Sequence, residues 1–437
     1  MTSVADPSTQ AEPELAPSSS ATVAPSSPAT GLSLADTFVG RKYVQLVLVL
    51  GSLIAIGPLT VDMYLPALPE LTAQMGATDA QAQMTITGLL VGLGVGQLLI
   101  GPLSDAVGRR RPLLFGLIGH ALMSVLCALA PSIAMLTVTR TLQGVAGAAV
   151  AVVAMAMVRD LFSGLRAAQL LSRLVLVMGV APILAPTIGS GLLKVTDWQG
   201  IFVVLGVTAV LLIVLAYFAL PETLPVSRRR SARPLASLKA YGSLFSDRLF
   251  VVMVAVSGLM FATMFAYVSG SPFILQDIYG LTPQQFGLAF GANAVGMIVA
   301  TQLNPLLVRR FGPVRVLTSA VLGSATVSIV LVAVTATGVG GLVGFMVPLW
   351  FLIALAGLSF PNAPAVALHR HGEAAGSAAA LLGSAQFLIG GLIAPLVGVL
   401  SNGTPLPMAG VMLGTTGISA LLLLSSRKGL SSFSYDD

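Results

Sequence analysis

Long apolar runs separated by short polar breaks follow one another along most of the chain. A hydrocarbon core about 30 Å thick needs about 20 apolar residues at about 1.5 Å rise per residue, so each run is long enough to cross a bilayer as a helix. The pattern predicts an all-α membrane protein with twelve spanning helices. Their expected ranges are 43–66, 83–103, 112–130, 133–157, 167–193, 200–220, 249–275, 284–307, 314–335, 341–366, 374–400 and 406–426.

The composition agrees with this pattern. Hydrophobic residues make up 56% of the 437 residues and charged residues only 9%, whereas soluble domains average about 45–50% and about 25%. The formal net charge of +6 suggests nucleic-acid binding at first sight, but the basic residues lie in short clusters between the apolar runs. We therefore expect no nucleic-acid partner and assign the basic clusters to membrane orientation.

The basic residues favour one side of the membrane. Placing alternate loops in the cytoplasm puts all of the 22 Lys and Arg residues on that side or at the helix ends next to it, except Arg140 and Lys194. Cytoplasmic loops of membrane proteins carry such an excess of Lys and Arg. We expect a multi-pass protein of the cell (inner or plasma) membrane with both termini in the cytoplasm.

The chain divides into two similar halves. The segment GPLSDAVGRRRPLL is echoed by NPLLVRRFGPVRVL, with Pro102 matching Pro305. Two six-helix halves with a substrate path between them are typical of secondary transporters. The predicted domains are a disordered cytoplasmic tail over 1–40 without signal-peptide features, a first half over 41–220, a basic cytoplasmic linker over 221–248, a second half over 249–427 and a short tail over 428–437.

The loop between the second and third runs combines glycines, an acid and basic residues. Its candidate gating residues are Gly101, Asp105, Gly108, Arg109 and Arg110. Asp105 can pair with Arg109 and accept hydrogen bonds from a neighbouring helix N-terminus, which would latch the two halves together on the cytoplasmic side. The alternative is that the basic residues only anchor this loop in the cytoplasm.

Two charged residues lie deep in apolar runs. Asp62 is expected about one turn from the far end of the first run, and Arg140, in the segment RTLQG with Gln143, about two turns from the same end of the fourth. A charge at the bilayer centre costs about 2.5–3.5 kcal/mol on insertion scales, so both residues point to function. We expect the ionised Asp62 to pair with Arg140, and protonation to release the pair. The alternatives are a fixed ion pair, or an Arg140 that only binds backbone carbonyls.

The fifth run reads GVAPILAPTIGSG and contains Gly179, Pro182, Pro186 and Gly189. Two prolines four residues apart remove two helix hydrogen bonds, and the glycines let a neighbouring helix approach closely. We expect a kinked element at the interface of the two halves. Ordinary tight packing is the alternative.

Candidate substrate-binding residues are polar, aromatic or Met side chains near the middle of the apolar runs. Met and aromatic surfaces adapt to varied ligands, although such residues also simply pack in membrane helices. The candidates are Tyr64, Gln143, Met178, Met260, Met264, Phe265, Tyr267 and Gln386. His120 is assigned to packing, with proton relay as the alternative, and the lone Cys127 is assigned to packing as well.

The sequence contains no phosphate-binding loop, which argues against ATP as the energy source. Two histidines in the segment HRHGE fall in a predicted cytoplasmic turn, where Glu373 can cap the next helix, and a metal site there is a minor alternative. We expect no catalytic site, no metal and no cofactor other than a proton gradient.

Taken together, DMYLPALP, the loop motif, RTLQG, GVAPILAPTIGSG and EAAGSAAALLGSAQFLIGGLIAP resemble the Bcr/CflA drug-resistance branch of the major facilitator superfamily. The resemblance covers residues 43–426. It implies the major facilitator fold, with twelve helices in two pseudo-symmetric halves. It also implies a bacterial exporter that exchanges protons for amphipathic antibiotics, such as bicyclomycin or phenicols, by alternating access. We expect a monomer in the bilayer.

Two other functions stay open at this point. A proton-coupled uptake symporter of a small organic solute would share the fold, although the motif in the fifth run disfavours it. A lipid flippase or a non-transporting membrane receptor is the alternative from another class, and the intramembrane Asp and Arg argue against it.

Overall fold

The computed structural model describes residues 40–229, 241–369 and 375–426. Within them, 12 helical spans are long and apolar enough to cross a membrane, which confirms the predicted fold class. The helices are α1 (Arg41–Asp62), α2 (Leu68–Met75), α3 (Asp79–Val107), α4 (Arg110–Ala128), α5 (Ile133–Leu161), α6 (Gly164–Leu192), α7 (Trp198–Ala219), α8 (Arg248–Phe273), α9 (Pro283–Phe311), α10 (Pro313–Thr337), α11 (Gly341–Leu368), α12 (Ala375–Ile393), α13 (Leu396–Val399) and α14 (Leu406–Ser425).

Nearly all of the two predicted tails, residues 230–240 of the predicted linker and Glu373 lie outside the described residues. The predicted limits of the domains therefore stay predictions. The two halves themselves are α1 to α7 and α8 to α14. We call the end of the bundle that carries the α3–α4 and α9–α10 turns the basic end, and the other the opposite end.

The first span differs most from its predicted range. α1 stops at Asp62, a 3-10 turn covers Leu65–Ala67, and α2 continues the span to Met75. The apolar run was expected to end at residue 66, but proline fits the first turn of a helix, where its missing N–H is not needed. The helix therefore resumes after the break, and Asp62 lies in the interior of a 35-residue span instead of one turn from its end.

The two halves repeat the same local structures. α3 begins with a capping box over Thr78–Gln81, and α9 begins with the same box over Thr282–Gln285. In each box, the threonine side chain and the glutamine side chain satisfy backbone N–H groups that the helix itself leaves free. Each helix also contains its proline, Pro102 or Pro305, near the basic end. The internal repeat thus extends from the quoted loop to the opposite end of the helix.

The halves meet along two pairs of helices, α3 with α12 and α6 with α9. Hydrogen bonds join them near the opposite end. Thr87 Oγ1 donates to the carbonyl of Gly391 (2.9 Å), and Gln284 Nε2 of α9 donates to the carbonyl of Ser190 in α6 (2.9 Å). These contacts join the two halves at the opposite end of the bundle.

Helices α3 and α5 touch through their backbones. A Cβ added to Gly144 would overlap the carbonyl oxygen of Leu89, and one added to Gly92 would overlap the carbonyl oxygen of Thr141. Small residues allow such close approach between spanning helices. The contact fixes the depth and rotation of α5, which carries Arg140.

We expect Gly144→Ala to lower the free energy of unfolding by about 1–3 kcal/mol, because the added methyl forces the two backbones apart. Thermal unfolding of the detergent-solubilised protein measures this. Gly147→Ala in the same helix is the matched control, since its Cβ would meet side-chain atoms only at 3.6 and 4.0 Å. Equal melting temperatures for the two variants would contradict the close contact.

Candidate functional site

Arg140 is fully buried on α5, and its guanidinium is held by atoms of three helices. Nη1 donates to the backbone carbonyl of Thr60 (3.0 Å) and to Gln143 Oε1 (2.8 Å). The guanidinium carbon lies 4.9 Å from the ring centroid of Tyr64 and 5.5 Å from that of Phe202. Aromatic faces attract a cation, so the two rings replace part of the water that a buried charge loses.

The hydrogen bonds around Arg140 extend to side chains of α4. Gln143 Nε2 donates to Ser124 Oγ (2.8 Å), and His120 Nε2 lies 2.9 Å from Thr60 Oγ1. His120 therefore does more than pack, although the sequence assigned it to packing. One signal was present, since His120 and Ser124 lie four residues apart and so share a helix face.

The predicted pairing of Asp62 with Arg140 is wrong for this conformation. In the described part of the chain, the Asp62 carboxylate forms no hydrogen bond and no ion pair, while Arg140 binds the carbonyl of Thr60. The reason is the direction in which the side chains leave the axis of α1. Thr60 and Tyr64 both contact Arg140, whereas Asp62 lies two residues after Thr60 and therefore roughly 200° around α1 from it. The alternative that Arg140 binds a backbone carbonyl is the one observed.

Asp62 faces the second half instead. Its side chain is 6% exposed, and the 3-10 turn that follows it contacts α8 and α9. The break after Asp62 also contacts the second half, because Gln276 Nε2 donates to the carbonyl of Pro66 (3.3 Å). Tyr267 in turn accepts a hydrogen bond from Asn293 Nδ2 of α9 (3.1 Å). A buried carboxyl group thus lies where the two halves meet.

Helix α6 contacts both the break in the first span and the second half. A Cβ added to Gly189 would overlap the carbonyl oxygen of Met63, the residue after Asp62. A Cβ on Gly179 would lie 3.4 Å from Ile298 of α9. Pro182 and Pro186 both lie inside α6. The four residues singled out in the fifth run therefore lie on a helix between the two halves.

The substrate-binding candidates separate into groups. Tyr64, Met264, Phe265 and Tyr267 belong to one apolar cluster that spans both halves. Gln386 is half-buried and donates to Ser257 Oγ (2.7 Å). Met260 is fully buried in a separate cluster of the second half, so it offers no surface to a ligand in this conformation. Met178 lies apart on α6 with 47% of its surface exposed.

The sequence-based list misses a group of aromatic side chains beside Phe265. Phe261 lies with its ring centroid 5.0 Å from that of Phe265, 5.2 Å from that of Phe387 and 5.8 Å from that of Phe360. Phe261 and Phe387 are only partly buried, so they keep accessible apolar surface. The sequence could not show that these aromatic side chains form one group, because Phe360 and Phe387 come from different helices.

A small cavity of about 120 Å³ lies at the opposite end, and Asp79, Gln83 and Asp277 are among its lining residues. Sites for drug-sized ligands are larger, about 300–1,000 Å³. The cavity is therefore too small to hold a drug.

At the basic end, the predicted pair of Asp105 and Arg109 is present. Arg109 Nη1 donates to Asp105 Oδ1 (2.6 Å), Arg109 Nε donates to Asp160 Oδ2 (2.8 Å), and the backbone N–H of Arg109 donates to Glu222 Oε1 (2.8 Å). These partners all lie in the first half or in the segment directly after it. Among the described residues the cluster therefore does not latch the two halves together in this conformation, contrary to the prediction.

Other loop residues support the same cluster. Gly108 has φ +98°, which L side chains rarely adopt, and an added Cβ would contact Glu222 Oε2. The backbone N–H of Arg110 donates to Glu222 Oε2 (3.2 Å), and its guanidinium lies 4.9 Å from the Tyr217 ring centroid. A Cβ added to Gly101 would have nothing within 4 Å, so no close contact requires a glycine at this position.

Asp160 and Glu222 were not predicted as site residues. Each is an acid just at or beyond the end of a long apolar run, and that position was the available signal. Partial burial raises the pKa of the Glu222 carboxyl, but hydrogen bonds from backbone N–H groups and the charge of Arg229 outweigh it and hold the pKa below its ordinary value of 4.5. The folded state therefore favours the ionised carboxylate.

We expect Glu222→Gln to lower the melting temperature at pH 7, because an amide has one acceptor oxygen where the carboxylate has two, and the backbone N–H groups of Arg109, Arg110 and Leu224 donate to it. A carboxylate with a lowered pKa stabilises the folded state above its unfolded pKa, and this contribution is lost as pH falls through the folded pKa. The difference between wild type and variant should therefore shrink below about pH 4.5.

Melting curves from pH 7 to pH 4 measure this difference. Glu70→Gln is the matched control, since Glu70 lies near the opposite end, away from the Arg109 cluster, and accepts a hydrogen bond from the Gln74 side chain (2.8 Å). A constant difference across this pH range would contradict the role of the ionised Glu222.

Comparisons with known sequences agree with the fold. The sequence profile of the Major Facilitator Superfamily matches residues 48–395. The chain is 37% identical over 395 residues to the uncharacterized MFS-type transporter YdgK of Bacillus subtilis, covering 89% of this chain and 97% of that protein. It is 32% identical over 375 residues to the bicyclomycin resistance protein homolog of Haemophilus influenzae, covering 86% and 94%. The multidrug resistance protein MdtL of Salmonella dublin is 27% identical over 374 residues, covering 86% and 93%.

Solved structures share the fold at low sequence identity. The xylose transporter XylE from E. coli, in a partially occluded inward open conformation, gives a TM-score of 0.70 at 15% identity and covers 88% of this chain and 98% of its own. The nucleoside transporter NupG gives 0.71 at 14% identity, covering 89% and 99%. The resemblance to the Bcr/CflA branch is confirmed by the named relatives, and the chain is a transporter that belongs to the Major Facilitator Superfamily.

Proposed function

We propose that this transporter exports amphipathic antibiotics in exchange for protons by alternating access. Asp62 is the proton-binding group in this proposal, and the basic end faces the cytoplasm. The observation that carries the proposal is the carboxylate of Asp62, buried without a partner in the described residues, next to a break that contacts the second half. The transported species are a small drug-like molecule and a proton, and the protein works as a monomer in the bilayer.

The absence of a partner for Asp62 in the described residues matters for proton coupling. An ionised carboxylate without a partner is costly in a buried site, and protonation removes that cost. A structural ion pair would instead keep its charge in every conformation. The neutral form of Asp62 therefore suits this conformation better than the charged form. A conformation that hydrates or pairs the carboxylate would bind the proton less tightly, and such a difference between conformations is what proton coupling requires.

The nature of the substrate is inferred from two observations. Two relatives are named for resistance to bicyclomycin and to multiple drugs. The cluster around Phe261 combines aromatic rings with Met264 and keeps accessible surface in the second half. Such surfaces repack around ligands of different shape, as a multidrug site requires.

Transport in everted membrane vesicles with an acidified lumen separates this proposal from its alternatives. An antiporter releases luminal protons when drug is added outside. A symporter releases them only when its solute is loaded in the lumen, and a flippase or a receptor moves no protons in either case. A resistance profile of cells producing the chain, against a panel that includes bicyclomycin and phenicols, selects the drug for this assay.

We expect Asp62→Asn to abolish drug-induced proton release, because the amide cannot take up a proton, while an uncharged drug still binds. The pH dependence of drug binding should also disappear. Asp197→Asn is the control for the loss of one acid, since Asp197 lies at the start of α7 and its side chain makes no capping hydrogen bond. Normal proton coupling and full resistance with Asp62→Asn would show that this carboxyl group does not carry the proton.

A further inference from the structure

The first span is broken directly after Asp62, and the break needs atoms from other helices. α1 ends at Asp62, and the next helical element begins at Leu65. The last turn of a helix leaves carbonyl groups without helical partners, and a membrane offers no water to satisfy them. The carbonyl of Thr60 is one of these groups, and it is the one that Arg140 binds (3.0 Å).

Arg140 therefore has the position of a C-terminal cap of α1. A cation near the C-terminus of a helix interacts favourably with the helix dipole. The Thr60 side chain is held as well, by its own helix through the carbonyl of Ile56 (2.6 Å) and by His120 Nε2 (2.9 Å). The last turn before Asp62 is thus fixed through both its backbone and its side chain.

The other side of the break lies against α6. The backbone of α6 at Gly189 lies so close to the carbonyl oxygen of Met63 that no Cβ fits between them. The next residue of α6, Ser190, accepts a hydrogen bond at its carbonyl from Gln284 of the second half (2.9 Å). A continuous set of contacts therefore leads from Asp62 through the break and α6 to α9.

We propose that the break after Asp62 is the hinge that couples protonation to movement of the halves, with Arg140 and Gly189 as its positioning residues. Arg140 acts as the cap of α1 and not as the ion partner of Asp62. This inference rests on the proposed function, in which Asp62 takes up the proton. An ionised Asp62 lies at the negative end of the α1 dipole, so its protonation changes the stability of the last turn and the position of the Met63 carbonyl against Gly189.

The charged and titratable side chains around the hinge come from several helices. Arg140 lies on α5, His120 on α4 and Tyr267 on α8, and Tyr64 follows the break itself. His120 is bonded to Thr60, and Tyr64 lies against Arg140 and bonds Thr85 (3.2 Å). Among these groups, Asp62 is the acid placed at the end of α1.

The first test compares Gly189→Ala with Gly191→Ala on the same helix. The Gly189 methyl must displace the Met63 carbonyl, so we expect turnover to fall about tenfold and the pH midpoint of drug–proton exchange to shift, with drug affinity changed less than about twofold. Gly191→Ala should behave as wild type, since an added Cβ there meets nothing within 4 Å. A lower melting temperature for Gly189→Ala with an unchanged pH profile would overturn the hinge and leave only packing.

The second test is a double-mutant cycle of Arg140→Gln and Asp62→Asn, measured by thermal unfolding in detergent. If Arg140 is a cap, Arg140→Gln lowers the melting temperature equally with Asp62 or with Asp62→Asn in the background. If the two residues are ion partners, the loss is smaller in the Asp62→Asn background. The cycle needs no transport measurement. It therefore tests whether Arg140 caps α1 even if Gly189→Ala does not fold, or if vesicles of the wild-type protein show no proton coupling.

Discussion

Inside a bilayer, every backbone polar group must find its hydrogen-bond partner within the protein. The break after Asp62 is where this constraint acts most strongly on the candidate site. It leaves the Thr60 carbonyl without a helical partner, and Arg140 supplies one. Arg140 is itself held by Gln143 and by the rings of Tyr64 and Phe202. One polar contact thus explains both why the helix can break there and why a cation can be buried beside the break.

This contact requires helices that approach one another closely and keep a fixed rotation. Glycines provide the approach, because a side chain at Gly144 would overlap the backbone of α3, and one at Gly189 would overlap the backbone of the break. Packing in a membrane cannot rely on the exclusion of water, so close van der Waals contact between backbones has a larger share in holding helices together. The glycines and the buried Arg140 are therefore parts of the same arrangement.

The two ends of the bundle differ although the two halves repeat. At the opposite end, hydrogen bonds such as that of Gln284 with Ser190 join the halves. At the basic end, Asp105, Arg109 and Glu222 interact within the first half and the segment that follows it. The second half carries the same capping box and proline in α9, but its equivalent turn has Arg309 and Arg310 without the acids of the first. The repeat therefore extends to the helix frame and not to this charged cluster.

The sequence by itself determined the twelve spans, because the length of an apolar run is a local property that the bilayer thickness tests directly. It also identified Asp62, Arg140, Gln143 and Tyr64 as unusual. Only the tertiary structure decided which of them meet. Arg140 binds Thr60 and not Asp62 because contact depends on rotation about the helix axis, which depth in the membrane does not specify. The contacts of Asp160 with Arg109 and of His120 with Thr60 also could not be predicted, because the packing of the whole bundle determines which helices are neighbours.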